Sequence, residues 1–234
     1  MKFHFILFSL CLLLGCEKSA TQHMITKPIN NSNFLTYLAL GDSYTIGEAV
    51  TAQESFPYQL VSQLKGQGFS FGAPKIIAKT GWTTDELQAA IKAENISQTY
   101  DVVTLLIGVN NQYRGYPETT YRKEVKDLLQ TALSFAKGNK SRVFVVSIPD
   151  WGVTPFGKNS GKDIEIISKQ IDAFNAINKE ETLAMGISYT DITPGSRLAL
   201  TDVSLIAKDG LHPSGKMYSE WATALFPKIV SSLK

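Results

Sequence analysis

The chemistry-bearing residues of this chain are one serine and one histidine far apart in a sequence of 234 residues. Ser43 follows Gly41-Asp42, where an apolar run breaks. A serine hydroxyl becomes a useful nucleophile only when a base takes its proton, and histidine suits that task near neutral pH. Of the three histidines, His4 and His23 fall in N-terminal segments set apart below, which leaves His212 for the folded domain. It stands in Asp209-Gly210-Leu211-His212-Pro213, where the glycine lets a carboxylate three residues upstream turn back onto the imidazole. An acid in that place holds one ring nitrogen protonated and leaves the other to accept the serine proton. Asp150 and Asp191, at other strand ends, are the alternative acids. Acyl transfer also needs donors around the oxygen that gains charge. The candidates are the backbone N–H groups of Ser43 and Gly81 and the side-chain amide of Asn110, with plain turn residues as the bland reading of the last two.

These residues need a scaffold that gathers them. Short β-rich runs at 35–41, 75–79, 102–107, 143–148 and 187–190 alternate with helical spacing at about 54–66, from 83 through 91, at about 117–137, at about 162–184, and from Pro213 to about 233. In the first helical stretch Phe56, Leu60, Val61 and Leu64 recur three and four residues apart. Thr83-Thr84-Asp85-Glu86 reads as a capped helix start, and the almost unbroken apolar run 102–107 as a strand buried on both faces. Five strands alternating with helices predict an α/β fold with a parallel, doubly wound sheet. Ligands bind such sheets beyond the carboxyl ends of the strands, where the polar breaks holding Ser43, Gly81, Asn110 and Trp151 all fall. Gly41 is expected to let the chain turn sharply under Ser43. Asp42 faces away from its neighbour and is read as the anchor of that turn. Asn111, Tyr113, Arg114 and Trp151 are expected to border the substrate crevice, the aromatic rings suiting a sugar and Arg114 an acidic group.

The amino terminus has a different character. Lys2 precedes an apolar segment, Phe5 to Leu14, too short to span a bilayer but suited to a signal-peptide core. Leu13-Leu14-Gly15-Cys16 resembles the bacterial lipobox, which implies cleavage before Cys16 and lipidation of that cysteine. The expected organisation is a signal peptide at 1–15, a lipidated cysteine and polar tether at 16–33, and one domain at 34–234. The location expected from this is the bacterial cell envelope, with the protein exported and membrane-attached through its lipid alone. Cys11 would leave with the signal, so no disulfide framework is expected. The 23 basic and 21 acidic residues are interspersed, giving a formal charge of +2 and no footprint for nucleic acid.

"GDSY" at 41–44, Gly81 in "KTGWT", "GVNN" at 108–111 and "DGLHPS" at 209–214 resemble, in order, the four blocks of the SGNH (GDSL-type) esterase and lipase family. The resemblance implies Ser43 as nucleophile, Gly81 and Asn110 as oxyanion donors, His212 as base and Asp209 as its orienting acid. It further implies a three-layer α/β/α, flavodoxin-like arrangement with a five-stranded parallel sheet in the order 2-1-3-4-5. The activity implied is hydrolysis of a small-molecule ester through an acyl-enzyme, with no metal or organic cofactor. Two departures stand out: Tyr44 replaces the usual leucine, which alters packing behind the serine or the pocket wall, and Asn111 replaces a common aspartate. A carbohydrate-ester deacetylase, a lysophospholipase or thioesterase, and a small-ester arylesterase remain open, as does a non-catalytic binding module on the same scaffold. Gly210 to Met217 matches G-x-x-x-x-G-K but puts methionine where the magnesium-binding hydroxyl belongs. The G-x-S-x-G elbow of α/β-hydrolases is absent.

Overall fold

The computed structural model describes Met1 and residues 34–234, so the expected signal segment beyond Met1, Cys16 and the whole tether lie outside the described residues. Five parallel strands, β1 (Tyr37–Asp42), β2 (Lys75–Lys79), β3 (Val102–Leu106), β4 (Val143–Val146) and β5 (Ser188–Thr190), form one sheet in the order β2-β1-β3-β4-β5. Every residue of β1, β3 and β4 is buried, as expected of parallel strands covered on both faces. The chain also forms α1 (Ser43–Ile46), α2 (Phe56–Gly66), α3 (Thr84–Glu94), α4 (Val109–Tyr113), α5 (Glu118–Phe135), α6 (Pro155–Asn159), α7 (Ile164–Ala184), α8 (Thr193–Arg197) and α9 (Gly215–Leu233). The long helices cover the sheet in two groups, with α2 packed on α9 and α5 packed on both α3 and α7.

The periodic segments became the long helices, and their ends follow local chemistry. α2 buries Phe56, Leu60, Val61 and Leu64. It begins at Phe56 because Pro57 lies in its first turn, and a proline ring there collides with any helical turn added upstream. Residues Ala52–Glu54 form a separate 3-10 turn instead. α3 begins on a reciprocal cap between Thr83 and Glu86, with the Thr83 N–H donating to Glu86 Oε2 at 2.9 Å. α9 is capped by Ser214, whereas Pro213 stays outside the helix and pairs with Ile206.

Four helices of one turn, α1, α4, α6 and α8, carry no sequence period. They follow β1, β3, β4 and β5 on the carboxyl edge, and the first three carry crevice residues: Ser43 on α1, Asn110 and Tyr113 on α4, and Phe156 on α6. Gly41 works differently from expectation. It is absent from the residues with positive φ. A Cβ on it would instead lie 2.1 Å from Thr45 Oγ1 and 2.4 Å from the Leu106 carbonyl oxygen. Glycine is needed there because α1 and β3 approach the backbone of β1 closely, and the turn itself is made by Asp42.

Candidate active site

Asp42 caps the one-turn helix α1, whose first residue is Ser43, and its Oδ1 accepts from the Tyr44 N–H at 3.0 Å. The carboxylate is fully buried. Burial pushes it up to about 7, against the opposing pull of hydrogen bonds from the Tyr44 N–H, its own N–H and Asn110. Asp42 therefore shapes the serine turn from beneath.

His212 reaches Ser43 from the other end of the sequence. Its Nε2 lies 2.9 Å from Ser43 Oγ, and its Nδ1 lies 2.5 Å from Asp209 Oδ2. The intervening loop is folded on itself: Asp209 Oδ1 accepts from the N–H groups of Leu211 and His212, both at 3.0 Å, and Gly210 takes φ +74°. The Phe156 N–H donates to the Gly210 carbonyl at 2.9 Å, which ties this loop to α6. Burial raises the Asp209 carboxyl, but hydrogen bonds from the His212 ring and from the Leu211 and His212 N–H groups outweigh it and hold the group below the usual carboxylate value. A proton on Nδ1 facing Asp209 leaves the Nε2 lone pair for the serine proton. Asp150 and Asp191 are committed elsewhere. Asp150, buried, accepts from Gly152 N–H, Ser168 Oγ and Arg197 Nε at 3.0, 2.6 and 2.9 Å, and Asp191 Oδ1 accepts from Ser147 Oγ and Thr193 N–H, both at 3.1 Å.

The oxyanion candidates sit on the same edge. Gly81 takes φ +83° at the end of β2, a conformation that favours glycine. Asn110, in α4, donates from Nδ2 to the Trp82 carbonyl at 3.0 Å and approaches Asp42 Oδ2 at 3.4 Å. The model of the GDSL-like Lipase/Acylhydrolase family matches residues 39–219, a span that takes in all of these positions. The chain belongs to this family.

Membership makes the protein a hydrolase of the esterase and acylhydrolase kind. Solved structures agree in fold. The lipase/acylhydrolase from Enterococcus faecalis superposes with a TM-score of 0.67 at 17% identity, over 85% of this chain and 96% of that one. TesA gives 0.65 at 16%, over 84% and 99%. Axe2, an acetylxylan esterase from Geobacillus stearothermophilus, gives 0.63 at 18%, over 83% and 94%. No curated protein matches the chain in sequence.

Within this GDSL-like hydrolase, Ser43, Gly81, Asn110 and His212 open onto one cavity of about 200 Å³. Tyr113, Trp151 and Phe156 form an aromatic wall, with Tyr113 edge-on to Trp151 at 5.2 Å between centroids. The buried Trp151 is fixed by its Nε1 donating to Gln112 Oε1 at 2.7 Å, while Lys162 Nζ sits 4.5 Å from the Tyr113 centroid.

Two residues expected at the crevice do not line this cavity. Arg114 donates from Nη2 to the Gly81 carbonyl at 2.6 Å and from Nη1 to Glu86 Oε1 at 3.0 Å, so it clamps the turn that carries Gly81 onto the start of α3. Asn111 is fully buried; its Oδ1 accepts from the Thr84 N–H at 3.1 Å and its Nδ2 donates to Thr84 Oγ1 at 2.6 Å. The cavity also takes Thr80, Val109, Phe156 and Leu211, which no sequence argument singled out. Thr80, Val109 and Leu211 lie inside the KTGWT, GVNN and DGLHPS blocks and could have been found by adjacency to Gly81, Asn110 and His212. Phe156 gives no such signal.

Proposed function

We propose that this hydrolase cleaves carboxylic esters through an acyl-enzyme on Ser43. His212 Nε2 takes the Ser43 proton as Oγ attacks the carbonyl carbon. The oxygen of the tetrahedral intermediate is held by the N–H groups of Ser43 and Gly81 and by Asn110 Nδ2, which exchanges its long contact with Asp42 for the oxyanion. Collapse breaks the bond to the alcohol, which leaves with the proton from His212. A water activated by the same nitrogen then releases the acid and restores Ser43. Asp209 keeps Nδ1 protonated and stabilises the imidazolium. The observation that carries this reading is the 2.9 Å contact between Ser43 Oγ and His212 Nε2, with Asp209 behind the ring and both oxyanion candidates on the same cavity.

The substrate proposed is a short-acyl ester of a carbohydrate. The cavity of about 200 Å³ beside Ser43, walled by Val109, Leu211 and aromatic rings, suits a short acyl group such as acetyl or butyryl. The exposed Tyr113 and Phe156 rings at its wall offer stacking surface to a sugar. We place the protein at the bacterial cell envelope, anchored through lipid on Cys16, a reading supported by the apolar leader and the Leu-Leu-Gly-Cys sequence. The test is a panel of acetyl, butyryl and long-acyl esters on sugar, aryl and glycerol alcohols. Acetyl sugars should turn over fastest, with Ser43→Ala inactive on all. A preference for long acyl chains would overturn the substrate reading, and an active Ser43→Ala the mechanism.

A further inference from the structure

Immediately after the nucleophile the chain carries Tyr44, where the family resemblance leads one to expect leucine. The Tyr44 side chain is buried, borders the cavity, and places its ring centroid 5.0 Å from that of His212 with the planes inclined by 53°. It is held there from behind: Trp221 of α9 stacks on it at 6.5 Å, and Phe56 and Tyr218 pack in turn against Trp221 at 6.4 and 5.2 Å. The ring therefore cannot swing away from the imidazole without opening the core between α2 and α9.

An aromatic face attracts a cation whose centre lies within about 6 Å of its centroid, and it attracts a neutral group far less. His212 is neutral when it waits for the serine proton and cationic once it has taken it, so an attraction present only in the second state acts on the barrier rather than on binding. A leucine at this position would offer no such difference. We infer that Tyr44 is a positioning residue that stabilises the imidazolium form of His212 during acyl transfer, through its ring rather than through its hydroxyl. The inference rests on the reading of His212 as the general base.

The surrounding groups are consistent with this role. Asp209 meets Nδ1 and Ser43 meets Nε2. The carboxylates of Asp42 on β1, Asp209 and Asp150, the last on the loop after β4, act on the Tyr44 phenol, and Tyr218 of α9 packs on Trp221 behind the ring. Burial first, and then those three carboxylates, push the phenol far above its ordinary value, so the side chain faces His212 as a neutral ring.

The test is the pH dependence of kcat/KM for the full chain and for Tyr44→Phe, Tyr44→Leu and a series of ring-fluorinated phenylalanines placed at 44. Fluorine drains the negative face while nearly preserving shape, so the series remains informative if the leucine variant fails to fold. Tyr44→Phe should keep the acidic limb where it is. Tyr44→Leu should move it down by about half a pH unit to one unit, because a less stabilised imidazolium gives up its proton at lower pH. Its kcat should fall about threefold to tenfold. The fluorinated series should move the limb down stepwise with each added fluorine. An unmoved limb in the leucine and fluorinated variants overturns the inference, as does a phenylalanine variant shifted as far as leucine, which would implicate the hydroxyl. His212→Ala, measured alongside, separates the two layers. Activity retained there removes the general-base reading itself, whereas activity lost with unmoved limbs at position 44 removes only the role of Tyr44.

Discussion

Arg114 clamps the turn that carries Gly81 onto the start of α3, bonding the Gly81 carbonyl and Glu86 at once. Removing the guanidinium in Arg114→Ala deletes the bond to the Gly81 carbonyl and the pair with Glu86. The ion pair is worth little, since its side chains are 41% and 38% exposed and pairs of that kind contribute less than about 1 kcal/mol. The charge-assisted bond to Gly81, partly wetted, adds on the order of 1 kcal/mol. Total destabilisation should thus be about 1 kcal/mol, or a Tm lower by about 2–4 °C for a domain of this size. Activity should suffer more. Deleting one oxyanion donor outright costs about 10² to 10³ in kcat, and loosening the turn that aims the Gly81 N–H should cost part of that, roughly tenfold. KM should change little, because the loss falls on the transition state. Arg114→Lys should not rescue kcat, since a single ammonium cannot span two acceptors as a guanidinium fork does. Steady-state kinetics on neutral and anionic acetyl esters, with thermal melts, decide the matter. An Arg114→Ala enzyme with kcat within twofold of the parent, or one whose KM rises only for anionic esters, refutes the clamp.

Asp209→Ala should retain the fold and lose about 10² to 10⁴ in kcat, read on an acetyl ester, because the imidazole loses the partner that fixes its tautomer; undiminished activity would remove Asp209 from the acid role. Asp42 gives a pH dependence of definite sign. Its carboxyl titrates near 7 when folded and near ~3.9 when unfolded, so the folded state holds the proton more tightly and the cost of ionising it grows as pH rises from about 4 to about 7. Asp42→Asn lacks that cost, so relative to the parent it should gain on the order of 2 kcal/mol between pH 5 and pH 8 in urea unfolding; a difference that does not change with pH contradicts this. Gly41→Ala must fit a methyl 2.4 Å from a backbone oxygen of β3, and overpacking of that severity should cost about 3 kcal/mol and lower the Tm by roughly 10 °C. A melt within 2 °C of the parent, on that scale, would mean the strand can shift to admit it.

Much of the scaffold was legible because its signals are local and repeated. The unbroken apolar run 102–107 and the spacing of Phe56, Leu60, Val61 and Leu64 announce a buried strand and an amphipathic helix, and both formed. Ser43, Asp209 and His212 could be singled out because His212 is the sole histidine of residues 34–234 and GDSY and DGLHPS are recognisable surroundings, and one parallel sheet brings its strand ends to a common edge. What stayed hidden depends on distance in space rather than in sequence. One-turn helices such as α1 and α4 are too short to show a period. The clamp by Arg114 needs a carbonyl 33 residues upstream, and the steric demand on Gly41 comes from Leu106 and Thr45, which no reading of Gly-Asp-Ser alone supplies. Phe156 entered the cavity because the first turn of Pro155–Asn159 is bonded to the Gly210 carbonyl.

The proposed mechanism requires His212 to make Ser43 nucleophilic. Incubating the full chain with an organophosphonate ester and mapping the adduct by mass spectrometry tests it most directly. Stoichiometric modification of Ser43, with parallel loss of esterase activity and labelling at least a hundredfold slower in His212→Ala, is the predicted result. A reagent that leaves Ser43 untouched while activity persists, or labels it equally fast without the histidine, would contradict the account.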